Sequence, residues 1–176
     1  MPITSSVFAK YPNTWLIETG SYFGDGIQSA LNAGFTKIRS IELGNKFYNH
    51  CKERFKDNPN VELFQGDSAF DLYNIIQDIK EPMTIWLDGH CSAGDTACGK
   101  YWSPLIQELE QIKQHSHENN LRHTILADDK RCWLVKQNKI DFDINDIIAN
   151  ILAIDKNYRI TYEDGFVPDD IIVAHI

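Results

Sequence analysis

The sequence predicts an α/β fold: a mostly parallel sheet of seven strands, closed by an antiparallel C-terminal hairpin, with helices on both faces. Three observations carry this. Short apolar runs of strand length alternate with segments whose apolar residues recur at helical spacing. The alternation covers the whole chain without an internal repeat or a linker-like stretch, so residues 1–176 are expected to form one domain. The last two runs, 158–162 and 171–174, are joined by a connector with Gly165 and Pro168 that is too short for a crossover, so they should pair antiparallel.

Taken in order, residues 14–17 form the first strand, which leads through Glu18 into a turn with Gly20, Gly24 and Gly26. A helix follows, with Ile27, Ala30 and Leu31 on one face, and Gly34 stops it. Residues 36–43 read as a strand carrying Glu42 near its end, and 46–55 as a helix with Phe47, Cys51 and Phe55 aligned. The third strand, 61–64, precedes Gly66-Asp67-Ser68, and a helix over 70–79 is broken by Pro82. The fourth strand, 83–87, ends at Asp88-Gly89-His90. Residues 91–102 contain Gly94 and Gly99 and lack periodicity, the pattern of a mobile loop beside a site. Pro104 opens a helix with Leu105, Ile106, Leu109 and Ile112 inward, and 115–122 reads as a polar connector. Strand 124–127 ends at Asp128-Asp129. Residues 130–141 have no assignable pattern, and Asp143 or Asn145 caps a helix through Ile147, Ile148, Ile151 and Leu152.

Composition narrows the classes. The chain is 43% hydrophobic and 24% charged, ordinary values for a globular protein. Seventeen basic against 25 acidic residues give a net charge of −8, which argues against a general nucleic-acid or anionic-membrane binder. No stretch has the length of a membrane span, and the N-terminal residues lack a basic region followed by an apolar core, so no signal peptide is expected. Cys51, Cys91, Cys98 and Cys132 form no C-x-x-C pair and read as reduced thiols, hence a cytoplasmic protein.

Chemistry is expected at the carboxyl ends of the strands, where ligands of open α/β sheets bind. Here those ends are acidic: Glu18, Glu42, Asp67, Asp88 and Asp128-Asp129 follow five successive strands. Any one of them alone reads equally as a cap of the next helix. The glycines give G-x-x-x-G-x-G, not the G-x-G-x-x-G of a pyrophosphate turn, which points to an adenosine-type ligand without a diphosphate. A dinucleotide held by Glu42 is the alternative.

The series Glu18-Thr19-Gly20, Gly24-Asp25-Gly26, Glu42, Gly66-Asp67-Ser68 and Asp88 resembles that of the class I S-adenosylmethionine-dependent methyltransferases, over nearly the whole chain. The resemblance implies a Rossmann-like seven-stranded sheet and S-adenosylmethionine as cofactor. It places the turn residues Gly20, Ser21, Tyr22 and Phe23, with Glu18, against the methionine part. Glu42, with Leu43 beside it, would take the ribose hydroxyls, and Gly66, Asp67 and Ser68 would lie near the adenine, with Asp88 completing the set. A carboxylate suits two vicinal hydroxyls because it offers paired acceptors.

More narrowly, Asp88-Gly89-His90 together with Asp128-Asp129 resembles the divalent-metal-dependent sugar O-methyltransferases and the related cephalosporin-hydroxylase-like group. That resemblance implies a magnesium-type ion (or Mn2+ or Ca2+) on Asp88, Asp128 and Asp129. It also implies an acceptor hydroxyl on a sugar, glycan or similar small molecule, with Asp88 and His90 catalytic and His90 as the general base. Alternatives stand beside it. Asp128-Asp129 could neutralise Lys130 and Arg131, and His90 could merely pack. A non-methylating, hydroxylase-like protein or a catalytically silent adenosyl-binding module would share the same residues. Zinc on His115, His117, Cys91 and Cys98 matches no closed-site spacing. Trp86 reads as sheet core, Tyr101-Trp102 as a candidate acceptor wall, and the run Lys130-Arg131-Cys132-Trp133 as a candidate anion contact. The chain leaves the oligomeric state open, a homodimer included.

Overall fold

The computed structural model describes residues 3–92, 94–136 and 139–176; Met1, Pro2, Ala93, Gln137 and Asn138, which fall in the N-terminal stretch, the 91–102 loop and the 130–141 segment, lie outside them. Helix α1 (Ser5–Phe8), which the sequence did not announce, precedes strand β1 (Trp15–Thr19). Then come α2 (Asp25–Asn32), β2 (Lys37–Glu42), α3 (Asn45–Arg54), β3 (Val61–Gln65), α4 (Ser68–Ile76) and β4 (Met83–Leu87). After the 91–102 loop follow α5 (Leu105–Asn119), β5 (Thr124–Ala127), a 3-10 turn (Lys130–Trp133), α6 (Ile144–Ile154), β6 (Arg159–Glu163) and β7 (Ile171–His175).

The seven strands form one sheet in the order β3-β2-β1-β4-β5-β7-β6. Strands β1 to β5 are parallel. The order reverses between β1 and β4, which opens a crevice at their carboxyl ends. Successive strand residues face opposite ways and both faces are covered. Ile17, Ile85 and Ile125 pack on α4, α5 and α6, whereas Leu16, Trp86 and Leu126 pack beneath α1 and α2. Trp86 is core, edge-on to Phe8.

The hairpin refines the expectation. The antiparallel strand is not at the edge: β7 lies between β5 and β6, antiparallel to both. Its apolar run Ile171–Ala174 is buried throughout, as an inner strand requires, while β6 exposes Arg159, Thr161 and Tyr162 and takes the edge.

The polar connector expected over 115–122 is corrected. Helix α5 runs on to Asn119 and closes on Asn120 in the left-handed region (φ 52°). His115 and His123 are buried because each ring nitrogen finds a partner. His115 bonds His123 at 3.0 Å and the Ile79 carbonyl at 3.0 Å, and His123 accepts the Met83 N–H at 3.2 Å. Burial, then the His115 charge, pushes His123 down to about 3, so it stays neutral. Helix α4 starts two residues early, since Asp67 accepts the Ala69 N–H at 3.0 Å. Asp143 is the cap of α6, in a reciprocal box with Asp146. Among the described residues no helix is long and apolar enough to cross a membrane.

Candidate active site

The site is built on the crevice between β1 and β4. Gly20 follows β1 directly with φ +82°, and a Cβ there would collide with the Asp88 carbonyl oxygen, so only glycine lets the two strand ends meet. The Asp88 N–H donates to the Thr19 carbonyl at 3.2 Å and closes that junction. From the end of β2, Glu42 holds the turn with both carboxylate oxygens. It accepts the Tyr22 N–H at 2.9 Å and the Gly44 N–H at 2.6 Å.

These residues wall a cavity of 270 Å3. Gly20, Tyr22, Glu42, Leu43, Gly66, Asp67, Ser68 and Asp88, all expected at the cofactor, line it. Of the other three, Ser21 and Phe23 border an adjoining cavity of 340 Å3. Glu18 borders it too but is 1% exposed, tucked behind the turn where Gly26 leaves room for its carboxyl. Glu18 accepts the Ser40 hydroxyl at 2.5 Å, and Ser40 also bonds Ser21. Burial pushes Glu18 up to about 8, Ser40 opposing and Asp88, Glu42 and Asp25 adding, so it is a neutral acid at pH 7.

The loop after β4 covers the 270 Å3 cavity with Ser92, Thr96, Ala97, Gly99 and Tyr101. Its reversal, bonded between Ser92 and Thr96, brings Cys91 and Cys98 to a Cα separation of 5.0 Å, and the two are joined in a disulfide. This corrects the reading of four reduced thiols, and with it the argument for a cytoplasmic compartment. It also removes the zinc alternative, because His115 is paired with His123 and His117 with the Ile154 carbonyl. Lys46 ties the loop to α3 through Asp95 at 2.6 Å. Tyr101 is on the cavity wall, whereas Trp102 lies in a separate groove under Lys139.

The adjoining cavity ends in carboxylates. Asp88, His90, Asp128, Asp129 and Arg131 line it. His90 lies between two of them, Nδ1 3.5 Å from Asp88 and Nε2 2.8 Å from Asp129. Burial disfavours the charged ring, but hydrogen bonds to Asp129 and Asp88 outweigh it and raise His90 to about 10. Here it is therefore an imidazolium, and it becomes the base expected from the sequence only after losing that proton. Asp129 is in the left-handed region, φ 60°. Burial works against its ionised form, yet His90 and Arg131 hold its pKa low. Asp128 is pushed up to about 7 by burial and then by Asp88 and Asp129. Its Oδ1 is buried and has no hydrogen-bond partner.

At and beside this cavity the structure departs from the sequence reading at three residues, Arg131, Trp133 and Asp170. Arg131, read as an anion contact, is committed to Asp129 and Asp170. Trp133, from the same run, is buried between His90 and Phe142. Asp170 reaches the rim because β7 is antiparallel to β5, which puts the start of β7 beside the end of β5. The only signal was an acid just before an apolar strand.

No family model matches the chain, and none of the curated proteins matches its sequence. Solved structures do. A Staphylococcus aureus protein described as a candidate caffeoyl-CoA O-methyltransferase is 10% identical, with TM-score 0.62 over 97% of this chain and 79% of that one. Streptomyces venezuelae DesVI is 12% identical, with TM-score 0.61 over 97% and 89%. The N-terminal domain of EvdMO1, solved in the presence of SAH and D-fucose, is 13% identical, with TM-score 0.60 over 97% and 79%. The strand order and these likenesses agree: the chain has the fold of the class I S-adenosylmethionine-dependent methyltransferases.

Proposed function

We propose that the chain is an S-adenosylmethionine-dependent O-methyltransferase acting, with help from a divalent cation, on a hydroxyl of a sugar, a glycan or a similar small molecule. The observation that carries this reading is the adjacency of the two cavities. They share Gly20, Tyr22, Asp88, His90 and Ser92, so a ligand in one abuts a ligand in the other. The presence of SAH and D-fucose with the EvdMO1 domain, on the same fold, supports the pairing of cofactor and sugar.

The residues fit both groups. Glu42 spends one acceptor site per oxygen on the turn, which leaves acceptor capacity for ribose hydroxyls. An acidic cavity also favours a sulfonium cation. Asp88, Asp128 and Asp129 would hold the metal, with Asp129 common to two close clusters, Asp88–His90–Asp129 and Asp128–Asp129–Asp170; hard carboxylate oxygens suit Mg2+, Mn2+ or Ca2+, and Asp128 Oδ1 lacks any partner within the protein. A bound divalent cation supplies a Lewis acid that lowers the pKa of the acceptor hydroxyl. The chain's own residues do the rest. The crevice fixes the line of attack, on which methyl transfer chiefly depends. The disulfide-braced loop excludes water, and His90, once deprotonated, takes the hydroxyl proton as the oxygen bonds to the methyl carbon and the carbon–sulfur bond breaks.

Calorimetry tests both halves. SAH is expected to bind in the presence of a chelator, and Mn2+ to bind without SAH. Asp128→Asn should weaken Mn2+ about tenfold, in line with the loss of one hard ligand, and leave SAH affinity unchanged. Failure of wild-type protein to bind SAH overturns the methyltransferase reading. SAH binding without any Mn2+ binding removes the metal.

A further inference from the structure

The carboxylate rim contains two side-chain cations that differ in how they are held. His90 is mostly buried, edge-on to Trp133 with ring centroids 5.6 Å apart. The Arg131 side chain is 34% exposed; its guanidinium bridges Asp129 and Asp170 and lies 4.8 Å from the ring of Phe166. Asp170 is wholly buried and is anchored to the same segment twice more. Its carboxylate accepts the Arg131 backbone N–H at 3.0 Å and its carbonyl accepts the Lys130 N–H at 2.7 Å. Asp170 thus stays in place whether or not the guanidinium also touches Asp129.

Beside this pair, Asp128 is 9% exposed and its Oδ1 has no partner. Oxygens of Asp128, Asp129 and Asp170 lie within 4.8 Å of one another. The two cations leave one of these carboxylates unmet: His90 and Arg131 both contact Asp129 and Arg131 also Asp170, while among the described residues no cation contacts the Asp128 oxygen. A buried carboxylate oxygen left without a donor calls for a partner from outside the chain, and a hard divalent cation is one that suits it.

We propose that Arg131 is a resident counter-ion that competes with the divalent cation. In the resting chain its guanidinium occupies Asp129. A hard divalent cation enters by displacing it from Asp129, while Asp170 and Phe166 keep it at the edge of the site. This inference rests on the metal-assisted reading above and adds to it a residue that sets metal affinity from outside the ligand set. Its consequence is a weakened, releasable metal site, since each binding event must break a charge-assisted hydrogen bond.

The test uses the full chain without cofactor, titrated with Mn2+, free ion being counted by electron paramagnetic resonance. Arg131→Met should bind Mn2+ at least about tenfold more tightly than wild type, the scale of one charge-assisted hydrogen bond no longer broken. Arg131→Lys, which keeps the charge but places it on a compact ammonium that cannot also stack over Phe166 as the guanidinium does, should fall between the two and serves if the methionine variant fails to fold. Asp170→Asn should weaken Mn2+, because Arg131 then falls back wholly on Asp129. Wild-type binding with no tightening in the Arg131 variants overturns the counter-ion role and leaves the metal reading intact. Absence of Mn2+ binding in wild type and variants alike overturns both.

Discussion

Glu42→Ala is expected to abolish measurable SAH binding, or to weaken it at least about a hundredfold, while Mn2+ affinity stays unchanged. The size follows from the role. Glu42 is nearly buried, and each oxygen holds one backbone N–H, from Tyr22 at 2.9 Å and from Gly44 at 2.6 Å. The alanine variant loses the acceptors facing the cavity and orphans two N–H groups in the walls that shape it. Hydrogen bonds to a charged group are worth about 1.5–3 kcal/mol each, so losing two reaches a hundredfold or more. Glu42→Gln separates the contributions: one amide oxygen can still take a backbone N–H, but the NH2 group cannot accept a ribose hydroxyl. Calorimetry should order wild type, glutamine and alanine by falling SAH affinity. SAH binding by the alanine variant at wild-type strength would show that the ribose does not lie against β2. Loss of Mn2+ binding in the same variant would show that the two cavities are not separable.

How much of this was legible in the sequence depends on how local each feature is. Strands Met83–Leu87 and Thr124–Ala127 are set by five and four residues that any packing would bury, and their bounds were readable. So were the acids behind them, because a parallel strand delivers its next residue to the carboxyl rim by geometry alone. Asp170 was not legible, since it precedes its strand. It reaches the rim only because β7 inserts antiparallel beside β5, a pairing no local pattern encodes. The pairing of Arg131 with Asp129 was open to the sequence, but its second partner, Asp170, lies 39 residues away and was not. His115 looked like connector because its polarity is satisfied by the His123 ring and the Ile79 carbonyl, contacts that no local pattern announces. Cys91 and Cys98 carried no pairing motif; the reversal at Ser92–Thr96 aligns them. Glu18 shows the opposite limit. Its place at the end of β1 was plain, but only burial under the glycine turn makes it a support of the site as well as a wall.

That burial has a measurable consequence: with chelator present, the protein should be more stable near pH 5 than near pH 8.5, by about 10 °C or more in Tm. Glu18, Glu108, Asp128, Asp88 and His90 act in one direction, all raised. Glu18 is raised to about 8 by burial, and Glu108, under Gly89, to about 7, also by burial. Asp128 is raised to about 7 for the same first reason. A raised carboxyl pKa gives stability that is full below the unfolded value, near 4, and is lost as pH climbs through the folded value. His90 adds to the trend: its pairing with Asp129 and Asp88, strong enough to overcome burial and raise it to about 10, is kept below the unfolded value near 6.5 and fades above it. Asp129 runs the other way, but its lowered pKa matters only in acid; buried His123, pushed down to about 3, also runs the other way and takes back part of the trend below about pH 6.5. Each unit of raised pKa is worth about 1.4 kcal/mol, so Glu18 alone accounts for several kcal/mol once ionised, before relaxation reduces it. Glu18→Gln should therefore flatten the slope of Tm against pH between about 5 and 8 and raise stability at the alkaline end. An unchanged slope in that variant would mean that Glu18 ionises freely in the folded chain and would overturn its role as a buried neutral support behind the turn.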